Sequence, residues 1–234
     1  MNKIIVDTKE FDIKLQEDSY IEINHDSKVN LIVERKKIKV LLNVKNHVVD
    51  INLEILDDGN LEVNNLGINS SINYNIRLHN NTNLLVVDSI LTRIDSINNI
   101  NIEDIGNNNK ILFYSNGINL ENNKLYFNLN GIIRKNSNNS YLEENSKIFN
   151  IMDGDSKIIP NLIVDTKEVV ANHSAFIGTF KNEDLYYLMS RGITKNNSKK
   201  LLIKSILLSN MNLNIEKFIK EISEFIVSGG DILE

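Results

Sequence analysis

His173 is the side chain best placed for chemistry, because it stands among small and polar residues at the end of a strand-rich region. A neutral imidazole is a good ligand for iron or zinc, and a lone histidine can complete a site that another chain mainly builds. The chain has no cysteine, which excludes a thiol nucleophile and leaves only oxygen and imidazole ligands for a metal. The alternative is a boundary histidine that binds no ligand.

The remaining candidate residues give weaker signals. His25, His47 and His79 fall in the polar phase of strand-like segments, and no pair of them has the spacing of a zinc motif. The acidic segments 57–59 and 153–155 are expected to be turns, because the calcium-loop pattern with its closing glutamate is absent. Phosphate-binding and nucleophile-elbow motifs are also absent from the sequence. These residue types predict a protein that is not an enzyme.

Charge and hydropathy limit the partners. The formal net charge is −5 and the sequence has no basic block, which disfavours binding to nucleic acid. No apolar run is long enough to span a bilayer, so no contact with a membrane is predicted. The first residues, Met1 to Asp7, carry a charge after only a few apolar residues and do not resemble a secretory signal. We therefore expect a cytoplasmic protein.

The elements that would position His173 are mostly strands. From about Ile4 to Val170 the hydrophobic pattern has a period of two, as where Ile51, Leu53 and Ile55 alternate with polar residues. Short turn-like breaks separate these segments, which is typical of a sandwich, a barrel or a β-solenoid. No strict repeat accompanies them, so an irregular β-helix remains one of the open alternatives.

Asparagine is abundant, and two compatible explanations apply. A compositionally biased genome would raise the asparagine content along the whole chain. Asparagine also tolerates the left-handed backbone of tight turns, which predicts asparagines at positive φ between strands.

After Phe180 the hydrophobic period becomes helical. We expect a first helix from about Asn182 that Gly192 terminates, a second helix that Thr194 caps, and a third that Gly229 and Gly230 end. The chain is thus predicted to have a strand-rich body over residues 1–180 and a helical segment over residues 181–234. Short amphipathic helices need a surface to cover their apolar faces, either the body or another protein.

Three separated segments around His173 resemble one protein family in order and spacing. They are Pro160 to Asp165, Val169 to Gly178 with Asn172-His173-Ser174, and Asp184 to Ile193 with Leu185-Tyr186-Tyr187-Leu188-Met189-Ser190-Arg191-Gly192. This pattern is similar to the C-terminal signature of the SufB/SufD family of iron–sulfur cluster assembly proteins. The match covers roughly residues 150–208, and upstream only the strand-rich character agrees.

The resemblance implies a mostly β fold, a right-handed parallel β-helix with a small C-terminal helical segment. Within the family the chain resembles SufD, because SufB keeps a cysteine near the position of Asn145 and this chain has none. The flanking residues Asn172 and Ser174 are also closer to the SufD pattern. The chain is shorter than many members and is expected to be a short form without their N-terminal helical region.

The family also implies partners and a cargo. The expected partners are a SufB-like subunit, or a second copy of this chain, and a SufC-like ABC-type ATPase. A nascent iron–sulfur cluster would rest transiently between subunits, with His173 as a shared metal ligand, and this chain alone would bind no cofactor. The residues expected to dock the ATPase are Leu185, Tyr186, Tyr187, Leu188, Arg191 and Gly192.

Two alternatives remain. The first is a homodimeric β-helix that serves protein interaction without a cluster role. The second is a carbohydrate-active β-helix, which would need a cleft with converging carboxylates.

Overall fold

A computed structural model describes residues 1–212 and 215–228. The segments of alternating hydrophobicity form fifteen strands within these residues. The odd-numbered strands are β1 Asn2–Val6, β3 Ser19–Ile23, β5 Lys37–Lys45, β7 Asn60–Ile68, β9 Asn83–Thr92, β11 Lys110–Asn119, β13 Ser140–Asn150 and β15 Val169–Gly178. The even-numbered strands are β2 Glu10–Lys14, β4 Ser27–Val33, β6 Val48–Ile55, β8 Ser71–Leu78, β10 Ser96–Asp104, β12 Lys124–Ile133 and β14 Asp155–Val164.

The strands form two parallel sheets, and within each sheet they follow one another in chain order. One sheet contains the eight odd-numbered strands from β1 to β15, and the other contains the seven even-numbered strands from β2 to β14. Each strand pairs in parallel with the strand two places along the chain, so the chain alternates between the sheets and advances by one rung per coil. The predicted parallel β-helix is confirmed.

The core lies between the two sheets. Because the paired strands keep their register, equivalent residues of successive coils stack about 4.8 Å apart. One such inward column runs through Val40, Val63, Val86 and Phe113, all of them sealed from solvent. Tyr74 from the second sheet meets Phe113 edge to face, with ring centroids 5.5 Å apart. Alternation thus fills the interior with apolar side chains from both sheets.

Asparagine stacks in the same way on the outside of the second sheet. The side-chain amide of Asn52 donates to Asn30 at 2.5 Å, Asn75 donates to Asn52 at 3.0 Å, and Asn101 donates to Asn75 at 3.2 Å. A second outward ladder runs beside it through Asp50, Asn73, Asn99 and Asn128. These ladders hydrogen-bond the coils to one another outside the core, and the hydrophobic pattern of the sequence does not predict them.

The turns between coils carry a further ladder at positive φ. Asp58, Asn81, Asn108 and Asn139 have φ values of 60°, 56°, 60° and 55°. Each asparagine amide donates to the side chain one coil earlier, for example Asn108 to Asn81 at 2.9 Å. The left-handed turn role predicted for asparagine is confirmed.

Three helices follow the strands within the described residues: α1 Asn182–Ser190, α2 Lys195–Leu207 and α3 Glu216–Ser228. Gly192, at φ +85°, follows the end of α1, and the Thr194 side chain accepts a hydrogen bond from the backbone N–H of Asn197 at the start of α2. Both predicted roles are confirmed. The predicted helix end at Gly229 and Gly230 lies outside the described residues.

The β body itself covers most of the helical segment. The outer face of the first sheet and the last two helices share an apolar cluster, whose members include Leu66, Leu91, Ile118, Ile203, Leu207, Phe218 and Ile222. Asn43 donates to Glu221 of α3 at 2.9 Å, and the guanidinium of Arg93 lies 4.5 Å from the ring centroid of Phe225. By contrast, α1 has no buried residue. In the described part of the chain, no helix is long and apolar enough to cross a membrane.

Candidate functional site at the open end of the β-helix

The last coil leaves one end of the β-helix uncovered. Strands β14 and β15 are edge strands of their sheets, and none of the residues of β15 is buried. Ile158 and Leu162 of β14 and Val169 and Ala171 of β15 still pack against the interior, although they are only partly buried. These residues identify the inward face of each strand, since side chains alternate along a strand.

His173 belongs to the inward face of β15. It lies two residues after Ala171 and four after Val169, which pack on the core, so alternation places all three on the same side. It is nevertheless exposed, because the described residues add no coil beyond β15. His173 therefore stands at the mouth of the interior, where a partner surface could meet it.

The residue one coil below His173 is a carboxylic acid. Glu144 of β13 is the register partner of His173 and continues the column of Val86 and Phe113. It is only 1% exposed, and neither carboxyl oxygen has a hydrogen-bond partner among the described residues. Burial raises its pKa from 4.5 to about 7.

A neighbouring inward column is also polar. Asn65, Asp88, Ser115 and Ser146 are stacked partners on successive coils, and each is buried with an unpaired side-chain oxygen. Asp88 accepts hydrogen bonds from Asn65 at 2.7 Å and from the Tyr74 hydroxyl at 3.2 Å. Burial raises the pKa of Asp88 from 3.8 to about 7. Unpaired buried polar atoms of this kind are the usual partners of internal water.

The residues predicted to dock an ATPase lie on a separate element. Tyr186 and Tyr187 are exposed on α1, and Leu185 and Leu188 are half-buried. The guanidinium of Arg191, just beyond the helix, lies 5.3 Å from the ring centroid of Tyr187. The structure thus presents an aromatic surface on α1 while His173 stands on β15, and the two predicted sites do not share an element.

The three other histidines are not brought to this end. His47 lies 3.1 Å from Asp26 and His79 lies 2.8 Å from Glu54, both as partly exposed pairs near strand ends, and His25 contacts a neighbouring backbone carbonyl. Within the described residues, no group of three or more histidine, aspartate or glutamate side chains could hold a metal ion. This chain therefore cannot complete a coordination sphere at His173 from its described residues, and a metal there would need further ligands from a second chain or from solvent.

A groove of about 790 Å³ runs across the outer face of the second sheet. Its glutamates are already engaged, since Glu103 is held by Arg77 at 3.3 Å and Arg134 at 2.7 Å, and Glu54 by His79. The carbohydrate-active alternative needs a free acid and base in a cleft. These paired glutamates do not supply one.

Comparison with known proteins agrees with this geometry. The family described as "SUF system FeS cluster assembly, SufBD core domain" matches residues 47–206. The chain belongs to the SufBD core family. The matched range contains β15 with His173, and it ends inside α2.

Individual SufBD relatives align over shorter stretches. An iron–sulfur cluster assembly SufBD family protein of Pyrococcus horikoshii is 36% identical over 74 residues, which is 30% of this chain and 17% of the relative. The iron–sulfur cluster assembly protein SufD of Bacillus subtilis is 34% identical over 89 residues, 37% of this chain and 20% of the relative. A SufBD family protein of Mycobacterium leprae is 43% identical over 47 residues, 20% of this chain and 12% of the relative. Each alignment thus spans a fifth or less of the relative.

The sequence pattern singled out His173 as a candidate but gave no indication of Glu144. The missed signal lies in β13, where Leu142, Glu144, Ser146 and Ile148 occupy the inward phase and one of the four carries a charge. A carboxylate in the apolar phase of a buried strand marks either a paired group or a site. Its position beside His173 depends on the coil length between β13 and β15, which the sequence pattern alone does not fix.

Proposed function

We propose that this chain is a SufD-like, non-catalytic scaffold subunit of an iron–sulfur cluster assembly complex. The observation that carries the proposal is an accessible imidazole at the open end of a β-helix that contains no cysteine. His173 offers nitrogen to iron of a nascent cluster, while the partner supplies the thiolates. The cluster is cargo shared between the chains, and this chain alone holds none.

The last coil is the proposed pairing surface. Its outward side chains include Ile159, Val170 and Phe176, which are large, apolar and exposed. An exposed strand edge with apolar side chains favours association with another chain. The partner is a SufB-like subunit, with a second copy of this chain as the homodimeric alternative.

Helix α1 is the proposed docking element for a SufC-like ATPase. Helices α2 and α3 cover their apolar faces on the β body, whereas Tyr186 and Tyr187 of α1 remain exposed. Exposed aromatic residues are enriched at binding hot spots. Of the three helices, α1 is thus the one with an unused aromatic surface.

The ligand role of His173 is tested by His173→Ala in a complex reconstituted with SufB-like and SufC-like proteins of the same genome. We expect the complex to form normally, because the His173 side chain is exposed, and its bound iron and sulfide to fall severalfold. His79→Ala is the matched control and should assemble clusters like wild type. Unchanged cluster content in His173→Ala would contradict the ligand role.

The docking role of α1 is tested by Tyr186→Glu, with Val227→Glu of α3 as control. The two side chains are 66% and 65% exposed, so neither substitution disturbs a packed core. Tyr186→Glu should abolish co-purification of the ATPase, and Val227→Glu should retain it. Equal retention by both variants would refute the assignment to α1.

The homodimeric alternative without a cluster role makes a different prediction. The chain would then purify as a dimer whose composition does not change when a SufB-like protein is co-expressed. Anaerobic purification followed by iron and sulfide analysis distinguishes the two, because only the scaffold role predicts His173-dependent cluster content.

A further inference from the structure

The inward column that ends at His173 changes character in its last two coils. Val63, Val86 and Phe113 are apolar and sealed, and they are followed by Glu144 and then His173. Both side chains belong to the inward phase of their strands, and the strands are direct neighbours about 4.8 Å apart. Carboxylate and imidazole thus occupy successive rungs at the mouth of the interior.

Glu144 lacks the partner that a buried carboxyl normally has. Both of its oxygens are inaccessible and unpaired in the described part of the chain, although the residue is 1% exposed. A buried polar group without a hydrogen bond costs about 1–3 kcal/mol, so its presence calls for an explanation. The outward neighbour Glu143, by contrast, accepts a hydrogen bond from the Tyr141 hydroxyl at 2.6 Å.

The opposite sheet leaves room for the Glu144 carboxyl. Gly131 of β12 faces it across the interior, and a side-chain carbon at position 131 would lie 2.8 Å from Glu144 Oε1 and 2.9 Å from Leu142 Cδ2. Any larger residue at 131 would displace the carboxyl. The absence of a side chain at position 131 therefore leaves space for the Glu144 carboxyl in the coil next to the last one.

We propose that Glu144 and His173 together form a carboxylate–imidazole half-site for a divalent transition-metal ion at the open end of the β-helix. The inference rests on the proposed function for the identity of the metal, which would be ferrous iron on its way into the cluster. Mixed oxygen and imidazole ligands suit Fe²⁺, Co²⁺ and Mn²⁺. Two ligands do not complete a coordination sphere, so solvent or the paired subunit supplies the others.

The test uses Co²⁺ as the probe, because its visible spectrum and its paramagnetic NMR shifts report on bound ligands without any cluster assembly. The full chain is titrated with Co²⁺ under anaerobic conditions, and the imidazole signals of His173 are followed. Wild type should show a Co²⁺ spectrum with shifted His173 signals. Glu144→Gln, which keeps the shape of the side chain, should weaken Co²⁺ binding by about tenfold or more.

The control is Glu143→Gln, the adjacent acid on the outward face of the same strand, which should bind Co²⁺ like wild type. His173→Ala should lose binding as Glu144→Gln does. Circular dichroism and thermal unfolding of each variant verify that it folds.

The possible results separate this inference from the proposed function. If His173→Ala loses binding while Glu144→Gln keeps it, Glu144 is not a ligand and the half-site is refuted, but the role of His173 stands. If wild type shows no Co²⁺ binding that depends on His173, the half-site is also refuted. In that case the cluster content of reconstituted His173→Ala decides separately whether the proposed function survives.

Discussion

The middle coils and the last coil have the same strand geometry but differ in the polarity of two columns of side chains, one outward and one inward. In the middle coils, Val86 and Phe113 fill the interior, and Asn99 and Asn128 hydrogen-bond across the outer surface. In the last coil the outward partner of Asn128 is Ile159. The inward column of Phe113 has meanwhile changed to Glu144 and then His173.

The change in these two columns distinguishes a coil that its neighbours cover on both sides from a coil with one open side. A middle coil is covered above and below by its neighbours, so its inward apolar residues are buried and its outward amides hydrogen-bond from coil to coil. The last coil has only one neighbour, and its exposed apolar residues would cost free energy in isolation. Such a coil is suited to contact with another chain, with a polar inward column at the centre of the contact.

The largest expected difference between the two regions is in core packing. Phe113→Ala in the middle should lower the free energy of unfolding by about 3–5 kcal/mol, because it leaves a cavity beside Tyr74. Phe176→Ala in the last coil should cost about 1 kcal/mol, since Phe176 is 44% exposed and packs mainly on Phe149. Urea unfolding of the two variants measures both values. Equal costs would mean that the last coil is as well packed as the middle.

The next effect concerns the buried acid in the middle of the interior. The folded state raises the pKa of Asp88 from 3.8 to about 7, so between these values the native protein holds a proton that the unfolded chain has lost. Stability should therefore fall as the pH rises from about 4 to about 7 and then level off. Asp88→Asn keeps the hydrogen bonds from Asn65 and Tyr74, and it should be more stable than wild type at neutral pH.

Unfolding measured at several pH values tests this sign. Asp88→Asn should reduce the slope between pH 4 and 7. The remaining slope reflects Glu144, whose pKa is also raised to about 7, and Asp104, whose pKa burial also raises. A wild-type stability that rises over the same range would contradict the raised pKa of Asp88.

A smaller effect is expected for the turn ladder of the middle coils. Asn108 has φ 60° and donates to Asn81 at 2.9 Å. Asn108→Ala should cost about 1–2 kcal/mol, because alanine disfavours the left-handed backbone and lacks the amide. Asn108→Gly restores the backbone freedom and should cost less. If both variants lose the same stability, the hydrogen bond dominates and the backbone angle does not.

The fold could be predicted from the sequence to a large extent. Alternation of the kind seen at Ile51, Leu53 and Ile55 identifies strands with one buried face, and the resemblance around His173 selected the β-helix among the open all-β alternatives. The amide ladders could not be predicted, because they depend on which asparagines of different coils become register partners. That pairing follows from the coil lengths, which vary along the chain.

The site was predictable only in part for the same reason. His173 has a recognisable local motif, whereas the relation of Glu144 to His173 appears only when β13 and β15 are placed side by side. The packing of α2 and α3 on the body was likewise undetermined, since an amphipathic helix does not specify which surface covers it. Which helix remained uncovered had to come from the structure.

The smallest effect on stability is expected for an exposed outward residue of the last coil. Val170 points outward from the last coil and is 52% exposed, so Val170→Lys should change the free energy of unfolding of the isolated chain by less than about 0.5 kcal/mol. The same substitution should prevent pairing, because it places an unpaired charge in the proposed interface. Lys28→Ala, an exposed change on β4 far from the last coil, should leave both properties unchanged. Sedimentation with the SufB-like partner, or of the chain alone, measures pairing. Undiminished association of Val170→Lys would show that the exposed apolar residues of the last coil do not serve contact with a partner.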